Sequence, residues 1–174
     1  GSEMCIRDSL LLIHSVQALT CSVKTSCSPG EVDVFHMSST TNGHAELSSE
    51  NNYNYKVCCS QPGTTLGTSC SGVHAVVLRA SSQTNAHVEK NTYSNYGYEI
   101  CLSSPVQSVN CIYLDDCSNA PSPGYECLAS ISGDTNAHVG DCNAYPTKVC
   151  CKVSVCSYCT YTEGGDPNFC KHCN

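Results

Sequence analysis

Two residue patterns in this 174-residue chain could carry chemistry, one built on cysteine and one on histidine. Toward the C-terminal end, Cys156-Ser157-Tyr158-Cys159 is followed, after ten intervening residues, by Cys170-Lys171-His172-Cys173. Two CxxC turns each present a pair of thiolates on one side of a tight loop, and four sulfurs complete the tetrahedron that zinc prefers. Gly164, Gly165 and Pro167 would turn the chain between them. In an oxidising compartment the same four cysteines would form two disulfides instead, for example Cys156–Cys170 with Cys159–Cys173. The spacing leaves both outcomes open: one structural zinc, or no cofactor. Redox catalysis is disfavoured, because neither motif sits in a βαβ setting.

The second pattern is threefold. Thr41-Asn42-Gly43-His44, Thr84-Asn85-Ala86-His87 and Thr135-Asn136-Ala137-His138 recur at separations of 43 and 51 residues. Glu46 and Glu89 stand two residues after their histidines and Asp141 three after, so each copy offers an imidazole and a carboxylate on the same side of one strand. Such a pair could hold a ligand. A histidine beside a turn more commonly hydrogen-bonds its own turn while the neighbouring acid stays solvated. Tyr53, Tyr55, Tyr96, Tyr98 and Tyr145 could form a stacking surface for sugars or peptides, or could line the core face of a small sheet. The candidate binding residues are therefore His44, His87, His138, Tyr55 and Tyr98. Known catalytic signatures are missing: the chain has no GxSxG elbow, no HExxH and no glycine-rich phosphate loop. We read no catalytic residues and expect a protein that is not an enzyme.

What must position these residues is a set of internal repeats. Each tetrapeptide follows an alternating stretch (31–38, 75–82 and 125–132) and precedes a second one that ends in Lys56-Val57-Cys58-Cys59, Glu99-Ile100-Cys101-Leu102 or Lys148-Val149-Cys150-Cys151. The alternation at Asp33/Phe35/Met37, Val76/Leu78/Ala80 and Cys127/Ala129/Ile131 has the two-residue period of a half-buried strand. The later stretches, such as Tyr53/Tyr55/Val57, share it. Asn in the turn tolerates positive φ. About three strands per repeat and an all-β fold follow, with repeats at 19–63, 64–105 and 106–155; a β-trefoil-like pseudo-threefold assembly is the alternative.

Cysteine spacing alone does not reveal connectivity, but the repeats supply a control. Cys27 precedes Cys58 by 31 residues, Cys70 precedes Cys101 by 31, and Cys117 precedes Cys150 by 33. Cys21 and Cys111 each stand six residues before the opening cysteine; the second repeat has Thr64 there, and it also has Leu102 where the others have Cys59 and Cys151. Joint absence implies bonding. The expected bridges are Cys27–Cys58, Cys70–Cys101, Cys117–Cys150, Cys21–Cys59, Cys111–Cys151 and, within the third repeat, Cys127–Cys142.

Composition agrees. Leu, Ile, Val and Phe number only 32 while cysteine reaches 17, so cross-links do the work of a larger core. Ser, Thr and Asn add 51 residues, and the net charge of −7 excludes a basic nucleic-acid footprint. At the start, Met4-Cys5-Ile6-Arg7-Asp8-Ser9 resembles a translated sequencing-adapter end, and residues 1–9 are set aside. Residues 10–18, Leu10-Leu11-Leu12-Ile13-His14-Ser15-Val16-Gln17-Ala18, read as the remnant of a secretory signal peptide, and no stretch is apolar over the ~20 residues that span a membrane. The cysteine-rich tail occupies 156–174.

In overall pattern, residues 21 to 155 resemble secreted, cysteine-bearing TNAH-type repeat proteins encoded in environmental genomes of small uncultured archaea. The three Thr-Asn-Gly/Ala-His turns and the Val-Cys-Cys or Ile-Cys strand ends carry the resemblance. It implies an extracellular or cell-surface setting and assigns no functional residues. The expectation is a non-catalytic structural or interaction repeat protein, part of a larger surface or adhesion protein, that self-associates or binds an extracellular macromolecule. A carbohydrate-binding module that takes a glycan is the alternative, and a secreted hydrolase or inhibitor the third.

Overall fold

A computed structural model describes residues 18–154. The adapter-like start, nearly all of the signal-like stretch and the whole cysteine-rich tail with Cys156, Cys159, Cys170 and Cys173 lie outside the described residues.

The first segment contributes β1 (Thr20–Lys24), β2 (Val32–Met37), β3 (Ala45–Leu47) and β4 (Tyr55–Ser60); the second β5 (His74–Ala80), β6 (Val88–Glu89) and β7 (Tyr98–Ser103). The third contributes β8 (Ser108–Leu114), β9 (Glu126–Ile131), β10 (Val139–Gly140) and β11 (Thr147–Ser154), with one 3-10 turn at Cys117–Asn119. The strands form three antiparallel sheets, ordered β1-β4-β2-β3, β6-β5-β7 and β10-β9-β11-β8. The fold is all-β, and the apolar residues of all three sheets meet in one core that includes Phe35, Met37, Leu78, Ile100, Leu128, Ile131 and Val149.

Six disulfides tie these sheets, and they are the six pairs expected from the repeats. Adjacent residues of a strand face opposite ways, so Cys58 and Cys59 reach different partners. Cys59 bonds Cys21 directly across from it on β1, with Cα atoms 4.2 Å apart, while Cys58 bonds Cys27 in the following loop. On β11, Cys151 and Cys150 repeat this with Cys111 on β8 and Cys117 in the 3-10 turn. Each bridge closing 31 to 40 residues stabilises by roughly 3 to 4 kcal/mol in the loop-entropy model.

The outer segments thus have four strands where the repeat pattern predicts three. The extra ones, β1 and β8, carry Cys21 and Cys111. In the middle segment, Gly67 stands in for that strand and exchanges both backbone hydrogen bonds with Ser103, at 2.9 and 2.8 Å. A second departure lies in the alternation itself. Register shifts fall between Asp33 and Phe35, between Val76 and Leu78, and opposite Val149/Cys150. The extra residues, Val34, Val77 and Leu128, are buried beside Phe35, Leu78 and Ala129. A bulge lets two consecutive side chains enter the core and increases local twist. Tyr113, from β8, donates its hydroxyl to the bulged Val77 carbonyl at 2.7 Å and accepts from the Asn91 N–H at 2.7 Å.

The three segments close in a cycle. Ala45 exchanges two backbone hydrogen bonds with Ala86, Val88 with Ala137, and Val139 with Gly43, all at 2.8–2.9 Å. A third bond flanks each junction: Leu47 N–H to Gln83 O, Lys90 N–H to Asp134 O, and Asp141 N–H to Thr40 O. In every case the residue after one histidine bonds the residue before the next. The Lys90–Asp134 ion pair, 2.6 Å, reinforces one junction.

Candidate functional site

The cycle brings the three Thr-Asn-Gly/Ala-His turns together. Within each turn the Asn adopts a left-handed conformation, with φ of 49°, 50° and 49° at Asn42, Asn85 and Asn136. Asn tolerates this region better than other residues with a side chain. The chain then reverses, and the His N–H donates to the hydroxyl of Ser38, Ser81 or Ser132 at 2.9–3.1 Å. The serine N–H returns a bond to the histidine carbonyl. The imidazole itself is left to point away from its own turn.

His44, His87 and His138 form a half-buried cluster. Their ring centroids are 4.9, 5.1 and 4.7 Å apart, and one ring nitrogen of each lies within 4.8 Å of the other two. The partners are not those expected. His44 Nδ1 hydrogen-bonds Asn85 Oδ1 of the next segment's turn, and His87 Nδ1 bonds Asn136 Oδ1 at 2.5 Å. Tyr53 and Tyr145 donate to Asn85 and Asn42, each at 3.3 Å. Burial, and then the charge that His87 and His44 would carry, hold His138 below the usual imidazole range. His138 therefore favours the neutral form, with one nitrogen lone pair.

Neither reading of the acids holds. Glu46 and Glu89 do not pair with the imidazoles, and they are fully buried rather than solvated. Glu46 accepts from His36 Nδ1 at 2.9 Å, from the Asn52 N–H and Nδ2 at 3.0 Å, and from the Tyr53 N–H at 2.7 Å. Burial alone would raise this carboxyl, but the bonds from His36, Tyr53 and Asn52 outweigh it and hold the group below the usual carboxylate range. Glu89 accepts from Asn95 Nδ2 and the Tyr96 N–H, both at 2.8 Å. In the third segment Gly140 takes the acid's place, and the Ser130 hydroxyl accepts from the Tyr145 N–H at 3.0 Å. Asp141 instead caps Asn143 at 2.8 Å. These acids anchor the loop that follows each turn. The shared spacing of Glu46 to Asn52-Tyr53 and Glu89 to Asn95-Tyr96 was the signal for this.

The tyrosines separate by role. Tyr55 and Tyr98 are exposed, at 37 % and 42 %, on corresponding ends of β4 and β7, so they do not line the core. Two other groupings of potential ligands, Cys27/Glu31/Cys58 and Cys70/Glu99/Cys101, offer no thiolate because their sulfurs are disulfide-bonded.

No protein-family profile, curated protein or solved structure matches the chain. The functional reading therefore rests on the geometry of the three turns. Among the described residues no helix is long and apolar enough to cross a membrane.

Proposed function

We propose that this protein is a non-catalytic extracellular interaction module, a disulfide-stapled repeat protein that presents a rigid face to another macromolecule at a cell surface. The observation that carries this is the cyclic closure: nine backbone hydrogen bonds join the three segments, and six disulfides brace them. A surface fixed in advance avoids the ordering cost that mobile loops incur on binding. Six disulfides suit an oxidising, non-cytoplasmic setting. The test is binding of the oxidised chain to itself, by sedimentation, and to immobilised cell-surface material. Saturable association that is lost on reduction is expected. Turnover of ester, glycoside or peptide reporter substrates at a rate dependent on a described side chain would overturn the reading.

The exposed pair Tyr55 and Tyr98 favours a second reading as a carbohydrate-binding module, since tyrosine faces stack on sugar rings. Glycan-array binding that falls on Tyr55→Ala and Tyr98→Ala would select it over self-association.

A further inference from the structure

We propose that His44, His87 and His138 bind one divalent transition-metal ion per chain, Zn²⁺ foremost, through one ring nitrogen each. This goes beyond the interaction reading and does not depend on it. Three observations lead there. First, the ligand atoms come from three turns far apart in sequence, yet one nitrogen of each lies within 4.8 Å of the others. Zinc–imidazole bonds of about 2.0–2.1 Å in a tetrahedron need nitrogens about 3.3 Å apart, so binding would draw the three rings closer together.

Second, the free nitrogen is defined. An amide oxygen only accepts, so the contacts of His44 Nδ1 with Asn85 Oδ1 and His87 Nδ1 with Asn136 Oδ1 place the proton on Nδ1. Nε2 is then the lone-pair nitrogen of His44 and of His87. Metal-bound histidines almost always donate their other N–H to an oxygen acceptor, which orients the ring and makes it a better ligand. Tyr53 donates to the same Asn85 oxygen and so fixes the amide that fixes the ring.

Third, the donor set selects a class of ion. Three imidazoles with no carboxylate suit Zn²⁺, Cu²⁺ and Ni²⁺, whereas Ca²⁺ and Mg²⁺ require oxygen ligands. The half-exposed setting of the cluster leaves a fourth coordination position for water or a group from a partner.

The test uses the oxidised full chain, with free thiols alkylated so that the tail supplies no thiolates. Titration with ZnCl₂ by calorimetry should give one ion per chain. His87→Ala should weaken binding about 100-fold or more, and Asn85→Ala about 10- to 100-fold; His74→Ala should leave it unchanged. Because the histidine variants could disturb the turns, the unmodified chain provides an independent readout in long-range ¹H–¹⁵N spectra. Zn²⁺ should shift one ring nitrogen of each of these three histidines, Nε2 in His44 and His87, whose Nδ1 stays protonated. Zinc that shifts other residues only, no binding at millimolar ZnCl₂, or full binding in the well-folded His87→Ala chain would each overturn the proposal.

Discussion

Replacing Gly43 with alanine should destabilise the fold, although alanine occupies the corresponding positions 86 and 137. A Cβ at residue 43 would lie 2.6 Å from the Ser39 carbonyl oxygen, 3.0 Å from the Ser39 nitrogen and 3.3 Å from the Val139 carbonyl oxygen. All three are backbone atoms, so no side chain can swing away. The Gly43 N–H is bonded to Val139 at 2.8 Å on one side, and Ser38 is bonded to His44 on the other. Opening the turn to accept the methyl therefore breaks or stretches a bond of one set. Alanine gains about 0.4–1 kcal/mol by restricting the unfolded chain. Overpacking costs about 1–3 kcal/mol, and a lost hydrogen bond costs about 1 kcal/mol more. The net expectation is a loss of about 1–3 kcal/mol, measured by urea unfolding with the disulfides intact. Ala86→Gly and Ala137→Gly, which meet no such obstacle, should each lose only about 0.5–1 kcal/mol. A neutral or stabilising Gly43→Ala would refute the claim that backbone closeness at the Val139 junction dictates the glycine.

Glu46→Ala should cost about 3–5 kcal/mol in the same assay, because it leaves His36, Asn52 and the Tyr53 N–H without their acceptor. Since the folded carboxyl is held low, its stabilisation is present above the ordinary carboxylate pKa and is lost as pH falls through the folded value; Glu46→Gln should flatten that acid limb. Restoring the acid in the third segment with Gly140→Glu should destabilise rather than help, since Ala144 and the Thr40 carbonyl occupy the space where its Cβ would go; circular dichroism melting would register the loss. Burial raises the Tyr113 phenol above its usual range, so in an alkaline ultraviolet titration this tyrosine should ionise only as the fold is lost. The sign is that stability falls as pH rises beyond the unfolded tyrosine value; reversible ionisation of every tyrosine in the native state would contradict it.

The strands and cross-links were legible because they write themselves in side chains. Alternation marked β2, β5 and β9, and the paired absence at Thr64 and Leu102 singled out the second bridge of each outer segment. The bulges left no such mark: Val34, Val77 and Leu128 are ordinary strand residues. The closure was equally silent, since it is made by backbone groups of Ala45, Ala86, Val88, Ala137, Gly43 and Val139, and backbone bonds constrain side-chain identity only through size. The histidines were visible as a recurring residue, but their convergence is a property of the closure. The sequence offers each histidine its own turn, or the acid beside it, as partner, whereas the structure gives His44 and His87 the asparagine of the next turn.

Closure also has an evolutionary consequence. Tandem units in open solenoids are readily gained and lost, because each touches only its neighbours in line. Here Val139 bonds back to Gly43 and closes the cycle, so recombination that deletes one of these three units would leave turns of the other two without their partners. Each unit nevertheless carries both halves of the junction, the residue before its histidine and the residue after it, so a primordial single unit could complete the same circle only as a homotrimer. Such a homotrimer would gather three copies of one histidine where His44, His87 and His138 now meet.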